Sequence, residues 1–227
     1  TYCADIKNMY TELPHDEILK AIRFMLTQCK KHTRRNHIHI EKIKNGHIAL
    51  GKSHCESFVT LSFEEMYKIC EYDIKNAYFT SLGNILKQIR GVPMGSPGSP
   101  SFAITICSYY EHLLHQKLKR FRFKNHYYDC TNIIKALRYI DDLLVILAFD
   151  KNDNKSKEIL NQIILTIEKE TYHKFMKLKP EDTKKHLSFL QAITNVQKRY
   201  KKNDTIELGF KNQNINHLLE TGELINS

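Results

Sequence analysis

The sequence predicts an α+β fold. Strand and helix patterns are mixed along its 227 residues without strict alternation. RYIDDLLVIL reads as two apolar strands around a tight turn, and a glycine- and proline-dense phrase, GVPMGSPGSP, runs straight into a long helix. The length suits one sizeable domain, or one domain with a small appendage.

Residues 1–9 read as a short strand, with Cys3 and Ala4 small and Ile6 apolar. Pro14, Asp16 and Glu17 open a helix in which Ile18, Ile22, Met25 and Leu26 share a face, and Lys30 and Lys31 close it. Residues 36–60 read as a hairpin or loop pair punctuated by Gly46 and Gly51. Ser62, with Glu65 three residues on, forms a capping box for a helix. Its apolar face takes in Met66, Ile69, Cys70, Ile74 and Ala77, so Asp73 falls near its end. Residues 78–90 suit a hairpin turning at Gly83 and Asn84. A helix follows from about Ser101 through Lys119, then the two strands of KALRYIDDLLVILAF, turning at Asp141 and Asp142. Asn154 or Ser156 caps a helix carrying Ile159, Leu160, Ile163, Ile164 and Ile167. A hairpin from LSFLQAITNVQ to TIELGF, turning at KKND, ends the chain.

Composition narrows the function classes. Hydrophobic residues at 41% and charged residues at 26% are ordinary for a globular protein and exclude collagen-like and low-complexity classes. No apolar run is long enough to cross a bilayer, so no membrane partner is expected. The opening phrase has no basic leader and no methionine, and reads as a piece of something longer. A net charge of +10, spread over the whole length, attracts polyanions, of which nucleic acid is the commonest; a lysine-rich composition bias gives the same count. Six scattered cysteines without a C-x-x-C pair predict a reducing, intracellular compartment, nuclear, cytoplasmic or organellar. His37, His39, His47, His54 and Cys55 cluster in sequence but match no standard zinc spacing. His37 and His39 alternate with isoleucine, as one face of a strand does.

Three stretches carry chemistry. ADIKNMYTEL and EYDIKNAYFTSL are near copies, with acids at Asp5 and Asp73 and tyrosines five positions on, at Tyr10 and Tyr78. In RYIDDLL the adjacent carboxylates Asp141 and Asp142 repel each other on a rigid hairpin, which invites a divalent cation. A solvated Asp-Asp turn has the same sequence. The glycines of GVPMGSPGSPSFA let backbone approach a ligand closely, and the helix start behind them suits phosphate or a base-paired nucleotide.

D-I-x-x-x-Y, then G-x-P-x-G-S-P-x-S-P, then Y-x-D-D, in that order, resembles the palm of reverse transcriptases over most of the chain. ADIKNMY matches motif A, RGVPMGSPGSPSFA motif B and RYIDDLL motif C. TYHKFMKLKPED lies where motif D would be, and LSFLQAITNV resembles the phrase before the primer grip. NAYFTSLGNILKQIRGVPMG, with Met94, is most similar to Penelope-like retroelements.

The resemblance implies a polymerase palm over residues 1–227, an antiparallel sheet backed by helices, with part of the fingers between motifs A and B. Motif A then lies near residues 2–14, motif B at 90–103, motif C at 137–146 and the motif D/E region at 171–210, with most of the fingers and the thumb absent. It implies RNA-directed DNA synthesis, in which a primer 3′-hydroxyl attacks the α-phosphate of a dNTP. The partners are an RNA template, a DNA primer and a dNTP, with fingers and thumb supplied by other polypeptide segments. Asp5, the Ile6 carbonyl, Asp141 and Asp142 would hold two Mg2+ or Mn2+ ions. Tyr10 would be the steric gate against a ribose 2′-hydroxyl, a position at which viral RNA-directed RNA polymerases look different. Gly91, Gly95 and Ser96 would shape the nucleotide and template pocket; Tyr139 and Ile140 complete motif C. Lys174, Lys177 and Lys179 are candidates for protonating pyrophosphate, or a solvated lysine face. Gln191 departs from the aspartate that Penelope-like members often carry there.

Two other classes use the same residues. A non-catalytic reverse-transcriptase-like protein would serve as an RNA-binding or scaffold component of a larger particle, but has no need of the carboxylates or Tyr10. A helicase- or nuclease-like metal enzyme finds no support in the motif order. Of the two look-alike phrases, Asp5 is the expected catalytic copy: 86 positions separate it from Gly91, room for intervening helices, against 18 for Asp73.

Overall fold

The computed structural model describes residues 2–150, 152–172, 176–180, 187–189 and 192–194. In chain order the elements are β1 (Tyr2–Ile6), α1 (Met9–Glu12), α2 (His15–Thr33), β2 (His37–Glu41), β3 (Ile48–Leu50), β4 (Phe58–Ser62) and α3 (Phe63–Lys75). Then come β5 (Tyr78–Ser81), β6 (Asn84–Lys87), α4 (Ser99–Leu118), β7 (Phe121–Phe123), β8 (His126–Tyr128), β9 (Ile134–Tyr139) and β10 (Asp142–Leu147). The last are α5 (Asn154–Glu170), β11 (Leu178–Pro180), β12 (Leu187–Phe189) and β13 (Ala192–Thr194). Helices and antiparallel sheets are mixed, an α+β fold. The described residues form two compact units: Asn8–Leu113, and the segment before it together with the described residues from Leu114 onward.

The second of these is built on a four-stranded antiparallel sheet ordered β11-β1-β10-β9. Side chains alternate across a strand. Tyr2 and Ala4 of β1 therefore join Leu143, Val145 and Leu147 of β10 in a core with Leu118, Phe121, Phe123, Cys130, Ile163 and Ile167. Cys3 and Leu144 occupy the opposite face. With both faces occupied, β1 carries small and apolar residues, and Asp5 is its one incompletely buried member. Behind the sheet, α5 contributes Ile163 and Ile167, both essentially fully buried. Its cap is Asp153 rather than Asn154 or Ser156, because that carboxylate accepts from two orphan amides, Lys155 N and Ser156 N.

The hairpin β7–β8, for which the sequence carries no turn signal of the glycine or asparagine-glycine kind, buries Phe121 and Phe123. The expected terminal hairpin divides differently. LSF pairs with AIT, so β12 and β13 fold back within LSFLQAIT. TIELGF and KKND lie outside the described residues.

In the Asn8–Leu113 unit, the strand expected over residues 1–9 has already ended at Ile6, and Asn8, at φ 52°, begins the short helix α1. Helix α2 buries Ile18, Leu19, Ala21 and Ile22, whereas Met25, expected on that face, is exposed. Residues 36–60 form more than a hairpin: β2 is the centre of a three-stranded sheet ordered β3-β2-β4. The capping box of α3 is complete: Glu65 N donates to Ser62 Oγ (3.2 Å) and Ser62 N to Glu65 Oε2 (2.7 Å). Phe63 and Ile74 are the buried residues of α3, and Ile69 is exposed.

The β5–β6 turn is Leu82 and Gly83, since Ser81 pairs with Asn84. Both central residues have positive φ, 50° and 79°, which matches the twist of a two-residue hairpin, so Asn84 opens β6. Helix α4 starts at Ser99, two residues earlier than expected. Ser99 Oγ donates to Pro93 O (2.7 Å), and the fixed φ of Pro100 suits a first turn.

Candidate metal centre

Register decides what the sheet presents. Asp5 of β1 pairs with Asp142 of β10, and the same Asp5 pairs with Lys179 of β11 on its other side. Asp141 is not paired: Tyr139 opposes Asp142, so the motif C turn is Ile140 and Asp141, one residue earlier than expected. Ile140 takes φ 51°, uncommon for a β-branched residue, and its carbonyl accepts from Arg138 Nη1 (2.9 Å). The Asp141 carbonyl accepts from Ile6 N (2.9 Å), tying the tip of the turn to the end of β1.

Carboxylate oxygens of Asp5, Asp141 and Asp142 all lie within 4.8 Å of one another, and all three residues are half-buried. Among the described residues this is the one such group of histidine, cysteine or acidic side chains; the histidines of β2 form none. Asp73 does not belong to it. The crowding is visible in the acid strengths. Partial burial and then the Asp141 charge push the Asp5 carboxyl above its ordinary range, while Lys179 and Lys7 pull it back. Burial, then Asp141 and Asp5, push Asp142 up as well. Clustered hard oxygen donors whose negative forms oppose one another fit a divalent cation, whose charge relieves that repulsion.

Ile6 has its side chain buried and its N–H committed to Asp141. Tyr139 is exposed. Of the candidate lysines, Lys179 stands opposite Asp5, the Lys177 carbonyl accepts from Lys7 N (3.0 Å), and Lys174 lies outside the described residues, as does Gln191.

The remaining sequence-predicted residues sit in the Asn8–Leu113 unit. Tyr10 lies half-buried in α1. Gly91 is buried at φ 75°, and a Cβ there would come 2.6 Å from Tyr10 O, so the position excludes any side chain. Gly95 has φ 100° but open space around it, and Ser96 N donates to Pro93 O (3.2 Å). Asp73 lies in the last turn of α3 and lines a cavity with Tyr78, Ser96, Ser99 and Phe102. Sequence reasoning missed Lys7, Arg138 and His15. His15 Nε2 lies 2.7 Å from the carbonyl of Gly91, 76 positions away, a contact with no local signal.

No protein-family model matches the sequence, and no curated protein matches it. Solved structures do match the fold. Apo telomerase from Candida tropicalis superposes with a TM-score of 0.57 at 15% identity, over 94% of this chain and 32% of that one. The same protein truncated from the C-terminal domain gives 0.54 at 16%, over 86% and 33%. Telomerase from Candida albicans, in complex with a TWJ fragment of telomeric RNA, gives 0.57 at 15%, over 93% and 30%. The chain thus spans about a third of the telomerase chains it matches. What these matches share with the chain is the fold, which is reverse-transcriptase-like and palm-like.

Proposed function

We propose that this chain is the palm of an RNA-directed DNA polymerase of the Penelope-like retroelement type, working inside the cell on an RNA template, a DNA primer and dNTPs. One observation carries the reading: Asp5 faces Asp142 across the sheet with Asp141 close to both, three carboxylates gathered on rigid backbone. Asp5, Asp141 and Asp142, with the Ile6 carbonyl, are the residues to hold two Mg2+ or Mn2+ ions. Such ions supply Lewis-acid activation of the primer 3′-hydroxyl and neutralise charge on the leaving pyrophosphate.

The chain's own residues do the rest. The sheet holds Asp5 and Asp142, and the Ile6 N–H bond to the Asp141 carbonyl ties the turn to it. The carboxylates are thus placed before substrate arrives, and little reorganisation is needed during the reaction. The Tyr10 ring fills the space a ribose 2′-hydroxyl would need and so selects deoxynucleotides by collision. Gly91, Gly95 and Ser96 shape the nucleotide and template pocket, Gly91 by letting the loop pack against the backbone of Tyr10 and Thr11. Lys179, opposite Asp5, offers positive charge next to the acids.

The test is primer extension by the full-length protein with Mg2+ or Mn2+. Asp141→Asn should lower kcat by about 100-fold or more while the fold, read by circular dichroism, is kept. Undiminished extension by this variant would sink the assignment. Template-primer binding without any extension by the wild type would favour a scaffold instead.

A further inference from the structure

The segment that follows β1 and the loop that precedes α4 are stapled together within the Asn8–Leu113 unit. Gly91 N donates to Leu13 O (2.8 Å), Val92 N donates to Tyr10 O (2.7 Å), and the Arg90 and Glu12 side chains form an ion pair (2.6 Å). His15 adds a side-chain contact, its Nε2 lying 2.7 Å from Gly91 O. A carbonyl only accepts, so Nε2 carries the proton.

Two of these contacts act on a single peptide plane. The C=O of Gly91 and the N–H of Val92 belong to the same peptide unit. His15 holds its oxygen and Tyr10 holds its N–H. Rotation of that plane breaks both bonds together. Gly91 is where rotation is easiest, because it has no Cβ and sits at φ 75°. Without a partner on its carbonyl, this unit is restrained from one end only.

We propose that His15 is a positioning residue for sugar discrimination. By fixing the Gly91–Val92 peptide it fixes the backbone of Tyr10, and through it the place of the Tyr10 ring. The inference rests on the reading of Tyr10 as the gate. Nothing about His15 requires contact with substrate. It sits at the first position of α2, behind Pro14, where the helix start gives it a rigid base.

The experiment compares steady-state incorporation of a dNTP and the matching rNTP by the full-length protein and its His15→Ala and His15→Gln variants. His15→Ala should lower the ratio of the two kcat/KM values about fivefold, the worth of one hydrogen bond. The change should come mainly from a smaller KM for the rNTP, with kcat for the dNTP kept within about twofold. His15→Gln, which retains a donor, should restore most of the ratio. A residue that only stabilises the fold would slow both substrates equally, so an unchanged ratio overturns the inference. If His15→Ala fails to fold, the ratio is read on His15→Asn, whose amide is too short to reach, and an unchanged ratio there overturns it too. A wild-type protein that extends no primer removes the polymerase reading and this inference with it, a result distinct from an active enzyme with an unchanged ratio.

Discussion

Asp5 and Asp142 are directly opposed residues of neighbouring antiparallel strands, β1 and β10. Like charges in that relationship oppose strand pairing. The sheet tolerates them because its other face buries Tyr2, Ala4, Leu143 and Val145 in a continuous apolar core. The stability of the core is spent on holding an electrostatically unfavourable pair, a pattern expected of a site built for a ligand.

The first prediction concerns that repulsion. Asp5 and Asp142 bind protons more tightly folded than unfolded, from burial and from the Asp141 charge beside each. Stability in metal-free buffer is therefore fully present below the ordinary carboxylate range and falls as pH rises through and just above it. Asp142→Asn removes part of this loss. It should raise the melting temperature at neutral pH and flatten the pH dependence, by less than about 1 kcal/mol because water screens both groups. A variant that melts lower than wild type at pH 7 in the presence of EDTA contradicts the repulsion argument.

A second prediction separates two glycines of one loop. Gly91→Ala must place a Cβ 2.6 Å from Tyr10 O and 2.7 Å from Thr11 O, both backbone atoms, besides occupying φ 75°. The cost should exceed about 2 kcal/mol, since backbone cannot step aside as a side-chain tip would. Gly95→Ala meets nothing within 4 Å and carries only the strain of φ 100°, about 1 kcal/mol. Chemical denaturation of both variants reads the difference directly, and equal losses would mean that Gly91 is not clamped.

The elements most readable from sequence were those with local physical causes. Ser62 and Glu65 bond each other's backbone amides, so the start of α3 was legible in four residues. The apolar run after Asp142 announced β10 for the same reason. Turn positions slipped by a residue at Leu82 and at Ile140, because bulky residues took the positive φ that sequence reasoning reserves for glycine or asparagine. The clustering of Asp5 with Asp141 and Asp142 depends on strand register across some 140 positions, which local patterning does not encode. Motif order supplied that expectation. Lys179 opposite Asp5 and His15 on Gly91 are likewise tertiary facts, set by a short edge strand and a helix start with no motif of their own.

The last prediction sets the two look-alike phrases against each other. Asp5 stands on a strand locked on both sides, by β10 and by β11, with two further carboxylates within reach. Asp73 stands exposed in the last turn of α3, without such company. A metal that binds only the folded protein stabilises it by mass action, about 1.4 kcal/mol at ten times its dissociation constant. Titrating Mg2+ or Mn2+ into the wild type should therefore raise its melting temperature progressively. Asp5→Asn removes one ligand and the charge that attracts the ion, and should abolish most of that rise. Asp73→Asn should keep it, because its carboxylate is not one of the three that converge. A metal-induced rise lost in Asp73→Asn and kept in Asp5→Asn would transfer the assignment to the second phrase, and with it the role of the tyrosine five positions on from Tyr10 to Tyr78.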